Sequence, residues 1–109
     1  MRILCVCQGG NVRSVGLAKL LKDEGMDALA CGARDNSAET LATLFEWANV
    51  VVLLSEQIKK HIPKELANHP VVVVEVGRDR FGRATHRDLV ALLRPVVDRW
   101  KAAHWRIEA

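Results

Sequence analysis

The sequence predicts an α/β fold in one domain: a doubly wound, flavodoxin-like sheet of four parallel strands with helices on both faces. Three observations carry that expectation. The apolar runs Ile3–Val6, Val50–Leu54 and Val71–Val76, with a weaker one at Ala28–Cys31, lack polar alternation and fit strands covered on both sides. Each run is followed by a helical pattern, giving the order βαβαβαβα, and right-handed crossovers wind such a chain onto both faces of one sheet. At 109 residues the chain is long enough for one domain and too short for two, so residues 1–109 are read as a single unit.

The elements follow in order. Ile3–Val6 runs into the polar loop Cys7-Gln8-Gly9-Gly10-Asn11-Val12-Arg13-Ser14, after which Leu17, Leu20 and Leu21 share a helical face and Gly25 supplies a stop. Beyond the strand Ala28–Cys31, the residues Leu41, Leu44, Phe45 and Ala48 repeat at helical spacing, with Asn36 as the expected cap and Glu39 three residues on. After Val50–Leu54, Ser55 caps a short helix that Pro63 ends. The last helix is expected to start at Thr85, with Asp88 as capping partner, and to turn Leu89, Leu92, Leu93, Val96 and Trp100 inward. Pro95 lies inside that pattern and should kink or split it.

Composition narrows the class. Half the residues are hydrophobic and 27% charged, which is globular rather than disordered composition. A net charge of +3 leans mildly toward anionic partners. Three cysteines, an odd number, make no disulfide framework and point to a reducing, cytoplasmic setting. The start of the chain lacks a signal-peptide layout, and no apolar stretch approaches the roughly 20 residues of a spanning helix, so no membrane partner is expected.

The chemistry concentrates in two loops. Doubly wound sheets bind ligands beyond the carboxyl ends of their strands, and both Cys7–Ser14 and Gly77–Ala84 fall at that edge. A strand, a glycine-bearing turn and a helix start direct backbone N–H groups at a bound phosphate. Cys7 is then the nucleophile, in its thiolate form, with Arg13, the loop amides and the helix start favouring the anion and Ser14 donating a hydrogen bond to it. Arg13 can grip two phosphoryl oxygens at once, as lysine cannot. Gly9 and Gly10 allow successive amides to point inward, and Asn11 braces the loop.

The spacing from Cys7 to Arg13-Ser14 resembles the Cys-x5-Arg-Ser/Thr signature of the low-molecular-weight protein tyrosine phosphatases, set here between a strand and a helix near the start of the chain. The resemblance extends over most of the sequence and is strongest toward the short bacterial and phage-type members. Asn36-Ser37-Ala38-Glu39 and Glu46-Trp47-Ala48-Asn49 look like their middle region. It implies a phosphomonoester hydrolase acting on a phosphorylated protein or a small aryl phosphate through a phosphocysteine, releasing inorganic phosphate, with no metal or other cofactor. The implied site has Cys7, Arg13 and Asp79 as catalytic residues and Gln8, Gly9, Gly10, Asn11, Val12, Arg13 and Ser14 around the phosphate. Phe81 would be a wall of the pocket. The chain departs from the family pattern in three places. Arg80 stands where proline usually follows the acid, Gly10 precedes Asn11 where the family has asparagine at the earlier position, and Val12 replaces the second cysteine that guards many members against oxidation.

Rival readings share parts of this pattern. A thiol-dependent arsenate reductase needs resolving cysteines downstream, and no cysteine follows Cys31. A cysteine phosphocarrier of the sugar phosphotransferase type needs neither Arg13 nor Asp79. A non-catalytic phosphate-binding or interaction domain would keep the loop without turnover. Asp88 reads as a helix cap, and Asp35 is a rival acid. Arg78, Arg80, Arg83, His86 and Arg87 surround Asp79, either as a solvated loop or as a rim attracting phosphorylated substrates. Sparse aromatic interleaving argues against nucleic acid. Cys5 and Cys31 read as core residues, and Cys5, on the strand face of Cys7, could pair with it only under strain. Trp100 and Trp105 are expected to pack from the final helix.

Overall fold

The computed structural model describes residues 1–9 and 12–108, so Gly10 and Asn11 of the first loop lie outside the described residues. The chain runs β1 (Arg2–Cys7), α1 (Arg13–Asp23), β2 (Asp27–Gly32), α2 (Ala38–Trp47), β3 (Val50–Leu53), the 3-10 helices Glu56–His61 and Lys64–Leu66, β4 (Val72–Val73) and α3 (Arg87–Ala102). The strands form one four-stranded sheet in the order β2-β1-β3-β4, with every pairing parallel. β1 is buried from Ile3 to Cys7 although its side chains alternate between faces, so both faces are covered there. The helices α1 and α3 pack against each other, and α2 meets β1 separately. A Cα radius of gyration of 12.7 Å is close to the roughly 13 Å expected of a single 100-residue domain.

This strand order places a switch point between β1 and β3, where the chain has wound one way to β2 and then crossed to the other side. The fourth strand is shorter than the run Val71–Val76 predicts, with regular pairing only at Val72 and Val73. The backbone nevertheless keeps hydrogen-bonding to β3 and the residue after it: the Val74 N–H donates to the Leu53 carbonyl at 2.8 Å and the Val76 N–H to that of Leu54 at 3.1 Å. That trailing segment carries the chain to the carboxyl edge.

Several local expectations shift by a residue. The side chain of Ser37, not Asn36, caps α2 by accepting the Thr40 N–H at 3.1 Å. Asn36 instead donates to the Gly32 carbonyl at 2.7 Å and closes the preceding turn. The cap of α3 is His86 rather than Thr85, its Nδ1 accepting the Asp88 N–H at 3.1 Å. The helix runs unbroken through Pro95, which is exposed, as is Ala91, the residue whose carbonyl loses its donor. Leu92 is 41% exposed because Leu89, Leu93, Val97 and Trp100 define the buried face, and Leu92 stands roughly 95° from its centre at about 100° per residue. Trp105 lies beyond the end of α3, in a turn where His104 and Trp105 have φ of 55° and 63°. There the Trp105 N–H donates to the Trp100 carbonyl at 2.7 Å, and the Trp100 indole N–H donates to the Glu108 carbonyl at 2.9 Å, tying down the end of the chain.

One glycine is fixed by close packing. A Cβ on Gly16 would stand 2.8 Å from Leu89 Cδ2 and 3.1 Å from the Ala84 carbonyl oxygen. Its missing side chain lets α1 approach α3 and the segment leading into it. Gly25, at φ 85°, ends α1 in the conformation that glycine adopts without strain.

Candidate functional site

The end of β1 delivers Cys7 to the carboxyl edge, where its Sγ lies 3.1 Å from the hydroxyl oxygen of Ser14 in the first turn of α1. Both groups are buried. The loop is anchored laterally to the chain after β2, since the Ala33 N–H donates to the Cys7 carbonyl at 2.8 Å and the Arg34 N–H to that of Gln8 at 3.1 Å. Among the described residues no side chain caps α1 at Val12.

Arg13 is buried too, and its guanidinium is held from one side. Nη1 donates to the Gly77 carbonyl at 2.8 Å, while the buried Nε has no hydrogen-bond partner among the described residues. An unpartnered guanidinium nitrogen in a buried site is costly unless an acceptor comes to it, and a phosphoryl oxygen is such an acceptor.

A cleft of about 320 Å³ opens beside these groups, lined by Gln8, Arg13, Ser55, Gln57, Glu75, Gly77, Arg78 and Asp79. The loops after β1, β3 and β4 therefore meet at the switch point. Asp79 shares this cleft with Arg13 and is exposed. The rival Asp35 lies elsewhere, its Oδ2 3.8 Å from the Cβ position of Gly9 and its Oδ1 3.8 Å from Arg34 Nε. Asp88 is in the first turn of α3, beside Arg87 at 3.8 Å. Phe81 does not wall the cleft as expected. It is buried in the core, with Arg80 over its ring at 4.4 Å and the His86 ring 6.1 Å away. Burying the ring anchors the loop, and among the described residues the cleft lining contains no aromatic side chain.

Cys5 and Cys31 are free and buried, as the sequence predicts. Burial pushes the Cys5 thiol far up and the Cys31 thiol up to about 11, so neither is a ready nucleophile. Among the described residues, no group of three or more His, Cys, Asp or Glu could hold a metal ion, and no helix is long and apolar enough to cross a membrane.

Glu75 is not among the residues that the sequence marks for the site. Its Oε1 accepts the Glu56 N–H at 2.9 Å and the Ser55 hydroxyl at 3.3 Å, and its Oε2 accepts the Gly77 N–H at 2.9 Å. The Glu56 amide, aided by the Gly77 amide, the Ser55 hydroxyl and the Arg13 charge and opposed by partial burial, holds this carboxyl below the usual glutamate range. The available signal was a lone charge inside the run Val71–Val76. Gln8 and His61 were also not linked in advance, and their Nε2 atoms lie 3.3 Å apart at the rim.

No protein-family model and no curated protein matches this sequence. Solved structures do. A low-molecular-weight protein tyrosine phosphatase from Bacillus subtilis superposes with a TM-score of 0.67 at 18% identity, covering 95% of this chain and 99% of that one. The chain has the low-molecular-weight phosphatase fold. The YwlE arginine phosphatase from Geobacillus stearothermophilus gives a TM-score of 0.67 at 18% identity, over 99% of this chain and 97% of its own. A YwlE arginine phosphatase mutant with a phosphorylated active-site serine gives 0.61 at 17%, over 93% and 96%. The shared phosphatase fold covers nearly the whole chain, which agrees with the single α/β domain and the family resemblance read from Cys7–Ser14.

Proposed function

We propose that this protein is a cysteine-dependent phosphatase. The observation that carries the reading is the grouping of Cys7 and Ser14 at 3.1 Å with a buried Arg13 whose Nε has no partner among the described residues, beside a cleft that Asp79 also lines. The Cys7 thiolate attacks phosphorus opposite the leaving oxygen, and the P–O bond breaks as Asp79 gives that oxygen its proton. Water then attacks the phosphocysteine, Asp79 takes its proton, and the S–P bond breaks to return the thiolate and release inorganic phosphate. Arg13 and the loop amides from Gln8 to Ser14 spread the phosphoryl charge through both steps. A nucleophilic thiol and free Cys5 and Cys31 suit a reducing compartment, the cytoplasm.

The leading substrate is a phosphotyrosyl protein or a small aryl phosphate. A second reading, a phosphorylated guanidino group, is favoured by the cleft itself. Among the described residues its lining has two carboxylates, Glu75 and Asp79, and no aromatic wall, and two fold neighbours are arginine phosphatases. Hydrolysis of phosphotyrosine and phosphoarginine by the wild type, Cys7→Ser and Asp79→Asn decides between them. Turnover of either substrate, lost in Cys7→Ser, supports the phosphatase. Phosphate binding without turnover of either would leave a non-catalytic binding domain.

A further inference from the structure

We propose that Glu75 is the positioning residue that aims Arg13 at the phosphoryl group. This rests on the phosphatase reading and adds a residue that the signature from Cys7 to Ser14 does not contain. The carboxylate joins two segments at the carboxyl edge. It receives Ser55 and Glu56 from the chain after β3 and Gly77 from the chain after β4. Gly77 then relays the contact, since its N–H is held by Glu75 at 2.9 Å while its carbonyl accepts Arg13 Nη1 at 2.8 Å. Gly77 sits at φ 80°, a conformation open to glycine at little cost, and its peptide orientation is what makes both contacts possible.

The guanidinium is a rigid planar fork, so fixing Nη1 fixes the rest. The Nη1 bond uses one corner and leaves the Nε–Nη2 edge, the edge that matches two oxygens of a phosphate. The buried Nε, without a partner among the described residues, lies on that edge. Releasing Gly77 from Glu75 frees the carbonyl that sets this plane. The same release loosens the segment leading to Asp79, two residues on. Glutamine is not an equivalent replacement. Both Glu75 oxygens accept backbone N–H groups, and an amide offers only one oxygen, so its NH₂ would confront either Glu56 or Gly77.

The test is a double-mutant cycle read by orthovanadate affinity in calorimetry, with kcat and KM for an aryl phosphate and phosphoarginine, and melting curves alongside. Glu75→Gln should weaken vanadate binding roughly tenfold, the scale of a lost charge-assisted hydrogen bond. It should lower kcat more than it raises KM. Combined with Arg13→Lys, which has already lost the planar fork, it should weaken binding less than about twofold further. Equal losses with Arg13 present or replaced, or a loss that only follows the melting temperature, would reduce Glu75 to a structural brace and overturn the proposal. Should Glu75→Gln not fold, Glu75→Asp, one methylene short, reports the same coupling. A wild type that binds no vanadate and turns over neither substrate would overturn the phosphatase reading and the role of Glu75 with it. A wild type that does both, without coupling between Glu75 and Arg13, removes Glu75 alone.

Discussion

The loops that meet at the cleft are held very differently. Cys7, Arg13 and Ser14 are 2%, 5% and 0% exposed, locked between the end of β1 and the start of α1. On the facing loop Arg78, Asp79 and Arg80 are exposed, and the segment is tied down by Phe81 below and by the Glu75–Gly77 contact at its root. The difference fits the roles proposed for each side. Gripping an anion demands donors fixed before it arrives, whereas the group that protonates a leaving oxygen must meet a substrate that continues out of the cleft. In the proposed mechanism the buried loop is general to phosphate, and the exposed loop chooses what carries it.

The largest test of this contrast is Cys7→Ser, which should reduce turnover to background while leaving phosphate binding, measured by calorimetry, within the wild-type range. Asp79→Asn comes next. It should lower kcat by about 10²- to 10³-fold, the usual scale of general acid catalysis, whereas Asp35→Asn should stay near wild type. The reverse ranking would move the acid to the other side of Gly9. A substrate with a strongly acidic leaving group should need Asp79 least, and steady-state kinetics with such an ester would show the loss shrinking.

A smaller effect concerns stability. Gly16→Ala should destabilise by about 1–2 kcal/mol in urea unfolding, because the new methyl meets Leu89 and the Ala84 carbonyl, and only part of the strain is recovered through better helix propensity. The smallest effect is with pH. The Glu75 carboxyl lies below its ordinary range in the folded protein, so its contribution is complete above the unfolded glutamate value of about 4.3 and drains away as pH falls below it. Melting curves of the wild type should therefore steepen their decline below about pH 4.5, and Glu75→Gln should lose that part of the slope.

Much of this was legible in the sequence because it depends on local order. Apolar runs without alternation gave the parallel strands, and the path from Cys7 through glycine to Arg13-Ser14 marked the loop at the carboxyl edge. Caps were misplaced by one residue at Asn36 and Thr85 because neighbouring polar side chains, Ser37 and His86, compete for the same amides and only backbone geometry decides. Phe81 illustrates a different limit. An aromatic residue beside a candidate acid reads as a pocket wall, yet the ring gains more by burial under Arg80 than by facing a polar cleft. Glu75 escaped notice because its partners, Ser55 and Glu56, lie about twenty residues away and come beside it only through the β3–β4 pairing.

Gly16 has a consequence beyond stability. It lies three residues after Arg13, and the atoms pressed against it belong to Leu89 of α3 and to Ala84, the last residue of the loop segment that carries Asp79. The two halves of the cleft are thus gauged from behind, by one absent methyl group. Loops grafted between Gly77 and Ala84 to change the substrate would inherit that spacing unaltered, provided Gly16 and the Ala84 carbonyl are kept as the fixed datum of the graft.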